Sequence, residues 1–172
     1  MKLHLGCGPN YQQGWLNLDI DSPCADMLHD LRLPLPFASG SVDYIYNEHF
    51  IEHITLEHSL IFLKECRRVL KNGGVFRTST PDLRWLIAQY ISGSVEEWRD
   101  VNWTPSSSCQ LVNEGMRSWG HQFLYDRDEL FAVLRAAGFH SVAEADWCES
   151  KHAELCNMES RPYHHELIVE AS

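Results

Sequence analysis

Leu3-His4-Leu5-Gly6-Cys7-Gly8-Pro9 is a short apolar run cut off by two glycines and a proline, the mark of a buried strand meeting a tight turn. Glycines at such a turn let the backbone approach a ligand that a Cβ would exclude. Alone, the pair is equally compatible with a plain turn. The next apolar segment, Trp15 to Ile20, alternates large apolar residues with Asn17 and Asp19 and reads as a second strand. Five residues separate Pro9 from Trp15. A parallel crossover needs about a dozen or more, usually helical. The first crossover helix is therefore expected to be absent or cut to about one turn.

Further along, Val42 to Tyr46 reads as a third strand after the turn Ala38-Ser39-Gly40-Ser41. Leu56, Leu60, Leu63, Cys66 and Leu70 recur at spacings of three and four, one apolar face of a helix. Lys71-Asn72-Gly73-Gly74 stops it, and Val75 to Thr78 is β-branched and aromatic, hence a strand. Ser79 or Thr80 is expected to cap the next helix, with Pro81 at its first position and a face of Leu83, Leu86, Ile87, Tyr90 and Ile91. Residues 94–125 show no clean periodicity and read as a Trp-rich lid or insertion, with Trp98, Trp103 and Trp119. Asp126 and Glu129 have capping-box spacing at the start of a further helix. His140 to Glu144 and Glu166 to Ala171 read as closing strands. Strands alternating with helices predict an α/β fold: a Rossmann-like, mainly parallel sheet with helices on both faces. Ligands bind such sheets beyond the carboxyl ends of the strands.

The whole chain sets bounds on function. Its 172 residues suit a single domain, 1–172, with a real core. The formal net charge is −10 with 14 Lys and Arg, none in runs, so nucleic acid is disfavoured as a partner. No apolar stretch approaches the ~20 residues of a membrane span, and no signal peptide precedes the first strand. Six cysteines without a CxxC pair suggest reduced thiols and a cytoplasmic protein.

After the glycine turn and Asp19 come Asp30-Leu31, Leu35-Pro36-Phe37, Ser41-Val42-Asp43-Tyr44-Ile45-Tyr46, Glu52-His53, Arg68-Val69-Leu70-Lys71-Asn72-Gly73-Gly74 and Leu134-Arg135-Ala136-Ala137-Gly138-Phe139. This ordered set resembles the class I S-adenosylmethionine-dependent methyltransferases, especially the small bacterial members, over nearly the whole chain. The resemblance implies S-adenosyl-L-methionine as cofactor. Gly6, Cys7, Gly8 and Pro9 would cradle its methionyl part, and Asp19, with Ile20 beside it, would hold both ribose hydroxyls. Asp30 would meet the adenine amino group beside the Leu31 backbone. Asn47 would touch the amino-acid end, with Glu48 and His49 facing the transferred methyl.

Histidine suits proton removal from an acceptor near neutral pH, and His49 and His121 are the two candidates. His49, Glu52 and His53 share one neighbourhood, and Cys148, His152 and Cys156 are spaced by four. Neither set shows a fourth ligand, so no metal is expected. The tryptophans from Trp85 to Trp119 either line a pocket for a small-molecule acceptor, cover the sheet or form a homodimer contact. Two other readings stand beside enzymatic methyl transfer. One is a cofactor-binding partner or regulatory protein without turnover. The other is a nicotinamide-dependent oxidoreductase, disfavoured because no GxGxxG is present.

Overall fold

In the computed structural model, which describes residues 1–95, 103–162 and 165–172, the opening apolar run forms β1 (Lys2–Leu5). The chain returns as β2 (Leu16–Asp19), parallel to β1 with Leu3 opposite Leu16. The interval holds turns and no helix, as the short spacing requires. Asn17 holds this loop together. Its buried amide accepts from the Gln12 N–H at 2.9 Å, donates to the carbonyls of Gln12 and Trp15 at 3.1 Å, and donates to Asp26 at 2.9 Å. One side chain thus satisfies backbone groups that a helix would pair internally.

The sheet continues through β3 (Met27–Leu28), β4 (Val42–Glu48), β5 (Leu70–Pro81), β6 (Val142–Glu144) and β7 (Glu166–Ala171). The seven strands lie in the order β3-β2-β1-β4-β5-β7-β6. β1 to β5 are parallel, while β7 runs antiparallel to β5 and β6, which supplies the expected antiparallel closing strand. The order reverses between β1 and β4, and a switch of this kind opens a crevice at the carboxyl ends.

Period-two alternation splits the core between two faces. Ile45 of β4 and Phe76 of β5 meet α1 (Leu56–Val69) and α4 (Arg127–Ala136) through Phe62, Leu63, Cys66, Leu130 and Leu134. Tyr46 and Val75 turn the other way, onto Trp15, Leu155 and Met158. Right-handed crossovers leaving a switch point in opposite directions cover opposite faces. The face left by the absent helix is thus covered by residues around the short 3-10 turn Ala153–Leu155.

Several expected boundaries move. Ser59, Phe62, Leu63, Cys66 and Val69 form the buried face of α1, while Leu56 lies exposed in its first turn. The helix passes straight into β5 at Leu70, so Gly73 and Gly74 lie inside the strand. Pro81 ends β5 instead of opening a helix. Asp82 caps α2 (Leu83–Ser92), accepting from the Arg84 N–H at 2.8 Å. α2 buries Leu86 and leaves Ile87, Tyr90 and Ile91 exposed. The stretch expected to lack periodicity contains α3 (Ser108–Arg117), capped by Ser107 and packed on α2 through Leu111. Asp126 caps α4 through the Glu129 N–H at 2.9 Å, as read from the sequence. Trp98 and His164 lie outside the described residues. No helix among the described residues is long and apolar enough to cross a membrane.

Candidate active site

A cavity of about 490 Å³ opens at the carboxyl ends of β1, β2 and β4. Gly6, Cys7, Gly8, Pro9, Asp19, Ile20, Asp30, Leu31 and Glu48 all line it, along with His49, His53 and Arg161. Asn47 does not. It is fully buried in β4, and alternation along the strand turns it away from the side that Glu48 presents.

The carboxylates of this cavity are already engaged. Asp19 accepts the Gly8 N–H on Oδ2 at 2.8 Å and those of Asp21 and Ser22 on Oδ1 at 3.2 and 3.3 Å. A carboxylate offers about four lone-pair sites. Asp19 therefore has room for one further hydroxyl, not the two expected. Asp30 takes a forked pair from Arg32 at 2.6 to 3.1 Å and the Arg32 N–H at 3.0 Å. The Arg32 guanidinium holds the Asp30 carboxyl at about 2. An adenine amino group reaches Asp30 only if the exposed Arg32 swings aside. Burial pushes the Glu48 carboxyl up, against the two bonds it accepts from the Ser160 N–H and hydroxyl at 2.7 Å.

His49 follows β4 at φ +49° and is buried. Its Nδ1 lies 3.2 Å from Glu52 Oε1 and its Nε2 lies 3.1 Å from Glu166 Oε1. Burial pulls the imidazole down, but the two carboxylates outweigh it and hold it at about 9. At neutral pH it is a cation with both nitrogens engaged, and an imidazolium has no lone pair with which to take a proton. The proposed general base is thus an electrostatic strut between two acids. Sequence reading named Glu52 and His53 as neighbours of His49 but had no signal for Glu166, which stands 117 positions away in chain order (166 − 49).

Beside this cavity is a second, of about 180 Å³, lined by Pro81, Asp82, Trp85, Leu86, Gly115, Trp119 and His121. His49, His53 and Arg161 border both spaces. His121 is held by its Nδ1, 2.7 Å from the Gly115 carbonyl. The Gln122 N–H donates to the Glu52 carbonyl at 2.7 Å, and the Gln122 side chain donates to that of His53 at 2.8 Å. These bonds dock the segment after α3 onto the turn after β4. Arg161, which no motif marked, brings a cation to the shared rim. The set Cys148, His152 and Cys156 does not converge: Cys148 faces the Glu159 carbonyl and Cys156 those of Ser150 and His152.

Residues 3–78 match the methyltransferase domain family. A protein of Mycolicibacterium smegmatis named "Probable S-adenosylmethionine-dependent methyltransferase" is 34% identical over 46% of this chain, and the chain spans 37% of that relative's length. An S-adenosylmethionine-dependent methyltransferase of Mesorhizobium loti superimposes with a TM-score of 0.61 at 17% identity, over 99% of this chain and 89% of its own. One from Archaeoglobus fulgidus gives 0.60 at 14% identity, over 99% and 84%. These two likenesses show the fold. Over residues 3–78, under half of its length, the chain is similar to the methyltransferase domain family. S-adenosylmethionine is the cofactor of that family.

Two observations of this chain suit that cofactor. Its larger cavity falls within the ~300–1,000 Å³ of small-molecule sites. Gly6 and Gly8, at φ +70° and +50°, present bare backbone to that cavity. A Cβ on Gly6 would lie 2.9 Å from the Phe50 ring, and Gly8 borders open space.

Proposed function

We propose that this chain transfers the methyl group of S-adenosylmethionine to a small-molecule acceptor seated in the smaller cavity. The observation that carries the reading is the shared rim of His49, His53 and Arg161, which joins a cofactor-sized space to an aromatic one. When bound, the sulfonium supplies an electrophilic methyl whose bond to sulfur breaks as an acceptor lone pair bonds to carbon, the electron pair staying on sulfur. The chain's own task is alignment, and holding two reactants in register is worth roughly 7–11 kcal/mol in favourable cases. Trp85, Leu86 and Trp119 give the acceptor apolar walls. Arg161 adds a positive charge at its polar end.

Of the two candidate histidines, His121 is the one placed to receive an acceptor proton. Its Nδ1 is committed to a carbonyl, which leaves Nε2 for the cavity. The reading of a lid is supported, among the described residues of that stretch, by Trp119 and His121, which wall the acceptor space. A cytoplasmic location fits six free cysteines, and a homodimer fits the exposed apolar face of α2. Sedimentation would give the mass directly. The cavity is formed without a crossover helix, so the absence of that helix is no argument for a binding partner without turnover.

Calorimetric titration with S-adenosylhomocysteine, with NAD as control, tests the reading. Saturable binding of the former alone is expected, weakened about tenfold by Gly6→Ala, because a Cβ there would lie 2.9 Å from the Phe50 ring and the turn lining the cavity must shift. Binding of NAD, or of neither compound, would overturn it. Binding without turnover on any acceptor would return the reading to a partner protein.

A further inference from the structure

Glu52, His53 and His121 converge at the junction of the two cavities, each offering one ligand atom, and those atoms all lie within 4.8 Å of one another. Glu52 is fully buried, whereas the two histidines are partly accessible. From this convergence we propose that the three side chains bind a divalent transition-metal ion of the zinc type.

Three features of the site support this. First, the groups face one another across a gap. His53 Nε2 stands 3.9 Å from Glu52 Oε1, beyond hydrogen-bond length, and the His53 and His121 rings meet edge to face with centroids 4.9 Å apart. In a tetrahedral site with bonds near 2.0–2.1 Å, ligand atoms sit about 3.4 Å apart, so closure needs movement of about an ångström. Second, the ligands are oriented from behind. Thr80 donates to Glu52 Oε2 at 3.0 Å, and His121 turns its Nδ1 to the Gly115 carbonyl at 2.7 Å, leaving Nε2 for the ion. Ligating histidines are characteristically fixed by such a carbonyl on the other nitrogen. The bonds from Gln122 to the Glu52 and His53 carbonyls lock the two halves of the site together. Third, the charges are unequal. Buried Glu52 and Glu166 both lie against His49, so at Glu52 a further cation is electrostatically welcome.

Two imidazoles and one carboxylate select zinc, cobalt, nickel or iron over magnesium and calcium, which prefer oxygen alone. Three protein ligands would also leave a coordination position open, and His53 and His121 both line the acceptor cavity. With the ion bound, His121 would be a ligand in place of the proton acceptor proposed above; the acceptor would be a small molecule with an oxygen or nitrogen donor that takes this position, and the ion would lower the pKa of that donor so that its proton leaves to solvent. This last step rests on the proposed methyl transfer; the metal site itself does not.

The test is titration of chelator-treated protein with Zn²⁺ by calorimetry and with Co²⁺ by visible absorption, on the wild type and on His53→Ala, His121→Ala and His121→Gln. S-adenosylhomocysteine binding is measured on each sample as a check of folding. One ion per chain is expected, with the intense absorption of low-coordinate cobalt and at least a tenfold loss of affinity in every variant that still binds S-adenosylhomocysteine. Absence of saturable metal binding by the wild type would overturn the site, as would unchanged affinity in both His121 variants. Metal binding without S-adenosylhomocysteine binding would uphold the site and sink the methyl-transfer reading alone.

Discussion

His49 shows how a residue's neighbours reverse its chemistry. Its place just past β4, near the glycine turn, is legible in the chain, and so is its suitability as a base. The second carboxylate is not legible, because Glu166 arrives at the opposite end of the sequence. With both ring nitrogens on buried acids, the imidazolium holds the crevice floor together. His49→Ala is therefore expected to destabilise the fold by about 3–5 kcal/mol in urea unfolding, the cost of leaving buried charge uncompensated. A general base at this position would instead lose activity at unchanged stability. The glycine turn was readable for the converse reason: its φ angles are a local property, and glycine announces them.

Among the elements, the sequence concealed α3 and the two-residue β3. Helical periodicity shows in a sequence when a broad stripe is buried, and α3 buries Leu111 and Gly115 alone among its ten residues. The Ser107 cap was present in the serine run, but with so narrow a stripe it had nothing to mark. Gly115 matters for approach. A Cβ there would stand 2.7 Å from Leu86 Cδ1, so its absence lets α3 close on α2 and brings the Gly115 carbonyl to His121. Gly115→Val is expected to cost about 1–3 kcal/mol by overpacking. It should lower acceptor turnover while leaving S-adenosylhomocysteine affinity unchanged, since no part of α3 lines the larger cavity. Equal loss of both would show that the two cavities are not separable. By contrast, β7 was readable to the residue, because its apolar run is uninterrupted where it crosses the core.

Over the whole molecule, the segment between β6 and β7 does the work of a missing helix. It read as a polar excursion because its few apolar residues, Leu155 and Met158 among them, are scattered. Arg77 of β5 fastens it down. Its fully buried guanidinium donates to Glu159 at 2.6 Å, to Glu170 at 2.7 Å, and to the carbonyls of Glu149 and Asp146 at 2.8 and 3.1 Å. Arg77→Met should destabilise by about 3–5 kcal/mol in the same unfolding measurement, because Glu159 loses its partner inside the protein. A change below 1 kcal/mol would mean that the apolar contacts hold the segment unaided.

The pairing of β5 with β7 sets Phe76 against Ala171, 95 positions later in the chain (171 − 76). As the chain leaves the ribosome, the far edge of the longest strand stays bare until its closing partner is released. A bare strand edge is a template for pairing with any extended chain nearby. Throughout that interval β5 can pair with β7 or with an extended strand of a neighbour, so the yield in the cell should depend on chaperone supply and expression rate as well as on the stability of the finished fold.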